Sequence, residues 1–342
     1  MSDIIRSAPA PRCAVCDAPG APLYAGLRDR LFAAPGEWSF RSCTNAACGL
    51  IWLDPMPVPE DIHKAYESYY THATENRGGG LLQALFAAAK RGYLANRYGY
   101  HREASLGTRL LGLLPLVYPG RAAELDLSVM WLHAGSLGQL LDVGAGSGWL
   151  VAHMCELGWD AEGIDFDPRA IEAATRRGMN MRLGGLPNQH FPDASFDAIT
   201  MSHCIEHVHD PLSWLKEARR VLKPGGRLAI ATPNNRSFGH RVFGEHWFAL
   251  DPPRHLHIFN TGSLTRLLDE AGFRDFRVFT SIRDANGTFI ASRAIRRSGR
   301  HDMLKPQPPV VRTWGRMMQL LEAVLKWFRP GCGEDVVAIA RK

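Results

Sequence analysis

A short apolar run that ends in an acid and three alternating glycines constrains this chain more than any other feature. It reads QLLDVGAGSGWL over residues 139–150, with Asp142 followed by Gly144, Gly146 and Gly148. An apolar run of this length predicts a buried strand. Because glycine has no side chain, a ligand can come close to the backbone of the turn that follows. The stretch therefore predicts a strand, a ligand-binding turn and the start of a helix.

From residue 139 onward, short apolar runs alternate with segments of helical periodicity. This alternation is typical of a parallel sheet with helices on both faces, which is a doubly wound α/β fold. The predicted strands are 139–143, 161–164, 198–201, 227–232, 277–280 and a last one in EDVVAIA, and the predicted helices are 149–157, 168–177, 211–222 and 263–271.

The second predicted strand also ends in an acid. Asp165 lies in EGIDFDP, nineteen residues after Gly146, where a carboxylate can accept hydrogen bonds from both hydroxyls of a ribose. Phe166 beside it can lie against an adenine ring. An acid at this position also serves NAD, but the third position of the dinucleotide fingerprint is Trp149, and its bulk argues against a pyrophosphate on the helix start.

Two further blocks follow in order, FPDASFDAITMSHCIEHVHDP and LKEARRVLKPGGRLAIATPN. Together with LLDVGAGSG and GIDFDP they resemble class I S-adenosylmethionine-dependent methyltransferases, over residues 139–280. The resemblance implies a Rossmann-like, mostly parallel, seven-stranded sheet. It is closest to a branch in which a segment like DPPRHLHIF follows, and whose members often modify sugars, polysaccharides or other small metabolites.

The resemblance also implies roles for individual residues in binding S-adenosylmethionine. Asp142 and the backbone of the three glycines are expected to hold the amino acid part, and Asp165 the ribose. Phe166 and Leu186 are expected to flank the adenine. Some family members use an acid near the third strand to reach the adenine amino group, but GGLPNQ here contains none, so we expect backbone contacts.

His207, in IEHV just past the fourth predicted strand of the family pattern, is the candidate base for the acceptor. It lies at the carboxyl edge of the sheet, and histidine titrates near neutral pH. Two alternatives stay open. Glu206 and the histidines at positions 203, 207, 255 and 257 are also compatible with a metal site, or with hydrogen bonds that only brace the loops.

The segment RVFGEHWFALDPPRHLH predicts one wall of the acceptor pocket. Trp247 can lie against a ring or sugar, Arg254 can pair with a phosphate or carboxylate, and His255 and His257 are further candidate contacts. Ordinary packing is an equally good interpretation of the aromatic side chains.

Four of the seven cysteines form two close pairs, Cys13 with Cys16 and Cys43 with Cys48. Two such pairs can supply four thiolates to a tetrahedral structural Zn²⁺, as in zinc ribbons, although the second spacing is wider than usual. Unrelated reduced thiols are the alternative. In the resembling branch the chain often begins with a zinc-binding segment, which favours the zinc interpretation.

These patterns predict three parts. Residues 1–60 are expected to form a small four-cysteine, zinc-ribbon-like module, 61–138 a helical linker or lid, and 139–342 the cofactor-binding domain with a helical insertion at about 283–330. Apolar residues recur at helical spacing over 310–328, namely Val310, Trp314, Met317, Leu321, Leu325 and Phe328. This stripe favours packing on the protein body, with peripheral membrane or partner contact as the alternative.

The net charge of +6 is modest, and no basic tract interleaved with aromatics is present, so we expect no nucleic acid partner. The densest basic cluster, 293–300, is interpreted as a solvated loop. The first residues lack a secretory pattern and no membrane-spanning window occurs, which predicts a cytoplasmic protein.

The sequence therefore predicts a methyltransferase, with O-methylation of a small-molecule or saccharide acceptor favoured. A non-catalytic zinc-ribbon scaffold that retains the cofactor fold is the alternative from another class. An oxidoreductase is the third interpretation.

Overall fold

The first sixty residues, rich in proline and cysteine, form short strands joined by turns. The computed structural model describes residues 4–67 and 80–342. Strands β2, β3 and β4 pair antiparallel around the buried side chains of Phe40 and Trp52, and β1 pairs with β5. The strands are β1 (Ser7–Ala8), β2 (Gly20–Leu27), β3 (Trp38–Cys43), β4 (Ile51–Leu53) and β5 (Met56–Pro57).

Four helices lead from this small sheet to the main domain. They are α1 (Leu81–Tyr98), α2 (Leu106–Leu111), α3 (Leu114–Val117) and α4 (Pro119–Ser128). Tyr93 and Tyr98 of α1 both donate hydrogen bonds of 2.7 Å to the buried carboxylate of Asp126 in α4. Because a buried carboxylate is costly without donors, these bonds hold the first and last helix of the group together.

The remaining elements alternate between strand and helix. In chain order they are β6 (Gln139–Val143), α5 (Trp149–Glu156), β7 (Asp160–Asp165), α6 (Pro168–Arg176), β8 (Met181–Leu183), β9 (Phe196–Ser202), α7 (Pro211–Val221), β10 (Leu222–Pro233), α8 (Phe238–Phe243), β11 (His257–Ile258), α9 (Thr261–Glu270), β12 (Asp275–Ser281), α10 (Ala285–Ser298), α11 (Pro309–Phe328) and β13 (Asp335–Arg341).

Seven of these strands form one sheet in the order β12-β13-β10-β9-β6-β7-β8. The pairs among β6 to β10 are parallel, and β13 runs antiparallel between β10 and β12. The predicted Rossmann-like, doubly wound, mostly parallel seven-stranded sheet is therefore confirmed. The strand order reverses at β6, whose neighbours are β7 and β9, and ligands of such sheets bind outside the carboxyl ends of the strands at this point.

The N-terminal sheet takes its edge strand from the second half of the chain. Strand β11 pairs antiparallel with β4, and the side-chain amide of Asn260, just after β11, donates to the backbone oxygens of Cys48 and Gly49 at 3.0 and 2.7 Å. The cysteine-containing loops are thus held against the main domain. The boundaries at residues 60 and 138 stay a prediction.

The stretch 283–330 contains the helices α10 and α11, which contact each other. The interpretation of 293–300 as a loop is wrong, because residues up to Ser298 continue α10. There the guanidinium of Arg293 lies 4.8 Å from the ring of Trp314, and that of Arg296 lies 5.0 Å from the ring of Phe243. The two cations are held over aromatic rings of neighbouring elements.

The favoured packing of the apolar stripe is wrong for most of its members. Trp314 faces Phe289 of α10, with ring centroids 6.2 Å apart, but Val310, Met317, Leu321 and Phe328 are exposed. The face of α11 that packs carries Gly315, Gln319 and Glu322 instead. Among the described residues, none of the helices combines the length and apolarity needed to span a bilayer.

Candidate cofactor and acceptor site

The turn after β6 lies at the reversal point of the sheet. Gly144, Gly146 and Gly148 all have positive φ angles, of 76°, 51° and 74°, which is the region that glycine enters without strain. A Cβ atom at Gly144 would meet the sulfur of Cys204 at 2.8 Å, whereas one at Gly146 would meet nothing within 4 Å. The space beside the Gly146 backbone is therefore open, and the contact of this turn with a ligand stays a prediction.

Asp142 is buried one residue before the end of β6. Its carboxylate accepts a hydrogen bond of 2.7 Å from the hydroxyl of Thr200 in β9. Burial raises the pKa of Asp142 to about 7, with the nearby charge of Asp165 adding to the effect. A cationic group bound beside this carboxylate would favour its charged form, which suits the expected contact with the ammonium group of the donor.

Asp165, at the end of β7, points to the same turn. Its two carboxylate oxygens accept from the backbone N–H of Gly146 at 2.7 Å and of Asp167 at 2.8 Å. Burial raises its pKa, although these two hydrogen bonds oppose the shift. Each carboxylate oxygen has a second lone pair, so both can still accept from a ribose.

Phe166 and Leu186 lie close together beside Asp165. Phe166 is 62 % exposed and its ring lies 5.8 Å from that of Trp214, while a Cβ at Gly185 would meet the Phe166 ring at 2.6 Å. Leu186 is fully buried. The exposed face of the Phe166 ring is thus available to an adenine, and the contacts of both residues with the cofactor stay predictions.

The loop after β9 carries the acceptor side of the site. The contact between Gly144 and Cys204 places this loop beside the glycine turn. Residues Ile205–His207 form one turn of 3-10 helix, which brings Glu206 and His207 to the carboxyl edge of the sheet, as predicted.

His207 and His255 face each other with ring centroids 4.8 Å apart. The Nδ1 atom of His207 lies 3.0 Å from the backbone oxygen of Arg254, and Nδ1 of His255 lies 2.8 Å from that of Ala249. Because a carbonyl oxygen only accepts hydrogen bonds, each Nδ1 carries the proton. The Nε2 atom of each ring then has a free lone pair.

The pKa values of His207 and Glu206 are both strongly shifted from their ordinary values. Burial and the neighbouring His255 lower the pKa of His207 to about 4, so that its imidazole is neutral at pH 7. Burial opposes a charge on Glu206, but His203, whose Nδ1 lies 3.4 Å from one carboxylate oxygen, outweighs it and lowers the pKa of Glu206 to about 2. The site therefore contains a buried carboxylate beside the neutral imidazole of His207.

The other predicted acceptor contacts are enclosed. The indole of Trp247 is buried and donates to Glu334 at 3.0 Å, and Nδ1 of the buried His257 lies 3.2 Å from the backbone oxygen of Val208. Arg254 is 0 % exposed. In this conformation Trp247, Arg254 and His257 are packed inside the protein. Their predicted contact with an acceptor would require a change of conformation.

Arg254 illustrates this enclosure. Its guanidinium pairs with Asp29, at 2.7 and 2.9 Å, and with Asp251. It also donates to the backbone oxygen of Ala65 at 3.1 Å. A buried cation with two carboxylate partners ties the N-terminal segment to the loop that carries His255.

Tyr66 is a residue of this site whose role the sequence did not reveal. Its hydroxyl lies 3.0 Å from Nδ1 of His207, and its backbone oxygen accepts from Arg169 of α6 at 3.1 Å. The only sequence signal for it is the tyrosine-rich stretch AYESYY at 65–70. Tyr69 and Tyr70 of that stretch lie outside the described residues.

The four N-terminal cysteines meet although they come from two separate loops. The sulfur atoms lie within 4.8 Å of one another, with Cys13 and Cys48 at 3.7 Å and Cys16 and Cys43 at 3.4 Å. A tetrahedral zinc with Zn–S bonds of about 2.3 Å separates its sulfurs by about 3.8 Å, so the arrangement fits that ion.

The turns after each cysteine pair have the same backbone conformation. Gly49 has a φ angle of 60° and Asp17, where the sequence lacks the expected glycine, one of 56°. An aspartate tolerates this region better than most residues, and the ion pair of Asp17 with Arg12 at 2.7 Å holds it in place. The absence of glycine at position 17 therefore does not prevent the first turn.

The glycine turn lies at the reversal point of a seven-stranded sheet, next to Asp142 and Asp165 from neighbouring strands. This arrangement is typical of α/β domains that bind a nucleoside. Residues 118–278 match the family described as "Methyltransferase domain". These residues accordingly form a methyltransferase domain.

Curated relatives match part of the chain. The demethylmenaquinone methyltransferase of Tropheryma whipplei is 42% identical over 99 residues, which are 27% of this chain and 40% of that protein. The ubiquinone biosynthesis O-methyltransferase of Cereibacter sphaeroides is 33% identical over 127 residues, or 35% of this chain and 51% of that protein. The chain thus spans about half the length of the curated relatives it matches.

Among solved structures, a SAM-dependent methyltransferase from Archaeoglobus fulgidus is similar at 18% identity, with a TM-score of 0.43. The alignment covers 73% of this chain and 98% of that one.

Proposed function

We propose that this protein transfers a methyl group from S-adenosylmethionine to a hydroxyl of a small molecule. The observation that carries the proposal is the convergence of Asp142 and Asp165 on the open glycine turn. One buried carboxylate suits the ammonium group of the donor, and the other suits its ribose. A ligand without phosphates also agrees with the bulky Trp149 at the helix start.

Methyl transfer from a sulfonium is an in-line displacement, so most of the catalysis can come from holding the donor and the acceptor in line. A hydroxyl acceptor must also lose its proton. His207 lies on the loop that contacts the glycine turn, and its neutral Nε2 can accept that proton as a base. This is the role we assign to His207 when no cation is bound there.

The acceptor is proposed to be a phenolic or saccharide hydroxyl. Two relatives are named for quinone biosynthesis, which supports a phenol-like ring, and the resemblance of the DPPRHLHIF segment supports a carbohydrate-linked acceptor. Both classes offer neighbouring oxygens on a ring. The partly buried His207 and His255 are the proposed wall of this pocket. The predicted acceptor contacts of Trp247, Arg254 and His257 would require these enclosed side chains to move.

We propose a structural zinc for the four cysteines. Four sulfurs leave a tetrahedral ion no open position, so the zinc would stabilise the N-terminal loops and take no part in catalysis.

The exposed stripe of α11 is proposed to touch an anionic membrane surface. Met317, Val324, Trp327 and Phe328 are 63%, 55%, 86% and 79% exposed. The exposed Arg312, Arg316 and Arg329 lie on the same helix or at its end, and cations beside exposed apolar groups favour anionic lipid.

The enzymatic proposal is tested by following formation of S-adenosylhomocysteine from S-adenosylmethionine in the presence of two acceptor panels, catechol-like phenols and free or nucleotide-linked sugars. We expect turnover with a member of one panel and none without an acceptor. Tight binding of the donor with no turnover in either panel or in cell extracts would instead support the non-catalytic scaffold.

A further inference from the structure

Three side chains at the acceptor edge have the arrangement of a metal site. Glu206, His207 and His255 each place one ligand atom within 4.8 Å of the others. They come from two loops, one after β9 and one before β11, which are joined by the hydrogen bond from the backbone N–H of Leu256 to the oxygen of Glu206 at 2.8 Å. The separate chain segments are thus fixed relative to each other.

The hydrogen bonds of both histidines prepare them as ligands. Each ring donates its Nδ1 proton to a backbone oxygen, that of Arg254 for His207 and that of Ala249 for His255. This is the arrangement by which metal-binding histidines are oriented and kept in the tautomer whose Nε2 lone pair is free.

Glu206 supplies the second observation. Its side chain is 0 % exposed, and one carboxylate oxygen accepts from the hydroxyl of Thr232 at 2.9 Å. The other, Oε1, has no hydrogen-bond partner among the described residues, and Nδ1 of His203 lies 3.4 Å from it. The ion pair with His203 offsets the burial of this oxygen, but at 3.4 Å it leaves Oε1 without a direct hydrogen bond, and a metal ion bound to Oε1 would supply a direct contact.

We propose that Glu206, His207 and His255 bind a divalent first-row transition metal ion at the acceptor edge. Two imidazole nitrogens and one carboxylate oxygen suit such ions better than Ca²⁺ or Mg²⁺. Metal–ligand bonds of about 2.1 Å place ligands up to ~4.2 Å apart, so side-chain shifts of a few tenths of an ångström close the site. Three protein ligands leave positions open for oxygen atoms of an acceptor.

If the proposed methyl transfer holds, the ion would take over the task of the free His207 imidazole. A hydroxyl bound to it loses its proton more readily, and two neighbouring oxygens of a catechol or sugar diol could bind together. Binding of the metal itself requires neither the donor nor the acceptor.

The test is a calorimetric titration of Co²⁺ into the full chain after zinc has been added at one equivalent to occupy the four cysteines. We expect one further Co²⁺ per chain, with a visible spectrum that lacks the sulfur-to-metal charge-transfer band of a thiolate site. The variants Glu206→Gln and His255→Gln should each weaken this binding at least tenfold. His63→Gln, at an exposed histidine, should leave it unchanged.

The proposal is overturned if the folded wild-type chain binds no Co²⁺ beyond the cysteine site. It is also overturned if both variants, shown to be folded by circular dichroism, bind it like the wild type. Because neither donor nor acceptor is present, absence of methyltransferase activity would not produce either result.

Discussion

The carboxylate of Asp165 accepts a hydrogen bond of 2.7 Å from the backbone N–H of Gly146. Strand β7 and the turn after β6 are thereby locked in the geometry that a nucleoside needs. The same side chain is the proposed ribose acceptor, so one residue would both shape the turn and bind the ligand.

Asp165→Ala is therefore expected to weaken binding of S-adenosylhomocysteine by ~10- to 100-fold, since it removes a charged acceptor and leaves the Gly146 N–H without its partner. Isothermal calorimetry measures this directly. Asp160→Asn is the matched control, because Asp160 is exposed at the other end of the same strand. Equal affinities of the two variants would contradict the assignment.

Asp142 predicts a dependence of stability on pH. The native state holds its proton up to about pH 7, whereas the unfolded chain releases it near pH 3.9. The free energy of unfolding of the ligand-free protein therefore falls as pH rises between these values, by ~4 kcal/mol at most.

The substitution Asp142→Asn should remove this loss of stability at high pH. Denaturant unfolding is expected to show a variant more stable than the wild type at pH 8 and nearly equal to it at pH 4.5, while its affinity for the cationic donor drops. A variant that is less stable at pH 8 would show that the carboxylate is not destabilised by burial.

The cysteine cluster predicts one zinc ion per chain. Cys16→Ser should abolish bound zinc in elemental analysis and lower the melting temperature by several degrees, because the metal links two otherwise separate loops. Cys155→Ser, at an exposed cysteine, should change neither quantity. Zinc-free wild-type protein with an unchanged melting temperature would contradict the structural role.

The surface of α11 predicts binding to anionic vesicles. Trp327→Glu combined with Phe328→Glu should reduce co-sedimentation with phosphatidylserine-containing vesicles about tenfold or more, because two buried aromatic contacts are lost and negative charge is added. Ile4→Glu, at an exposed apolar residue elsewhere, serves as the control. Equal sedimentation of all three proteins would exclude this surface.

The main sheet was predicted well from the sequence for two reasons. Its strands are buried on both faces and therefore appear as apolar runs, and the glycines of the turn after β6 are needed for its backbone conformation. The predicted strand 139–143 and the first helical residue Trp149 agree with β6 and α5. Caps and prolines also marked helix starts, as at Pro168 and Pro211.

The packing of α11 was not predictable from the sequence, because it depends on tertiary contacts. The periodicity of α11 could not show that Gln319 and Glu322, rather than the apolar stripe, face the body, because their partners lie far away in the chain: Gln319 bonds to Tyr118 and to the backbone of Ile282, and Glu322 to the backbone of Glu334.

The acceptor side was predicted least completely, for the same reason. Histidines at 207 and 255 were visible in the sequence, but their tautomers depend on backbone oxygens of Arg254 and Ala249. The contact with Tyr66 spans 141 residues. No local pattern contains such pairings.

The central claim is that a sulfonium donor binds between Asp142 and Asp165 above the glycine turn. Calorimetric titration of the folded protein with S-adenosylhomocysteine tests it most directly, with NAD as the comparison ligand. The account predicts saturable heat for one site with the first ligand and none with the second. No heat with S-adenosylhomocysteine, or tighter binding of NAD, would contradict it.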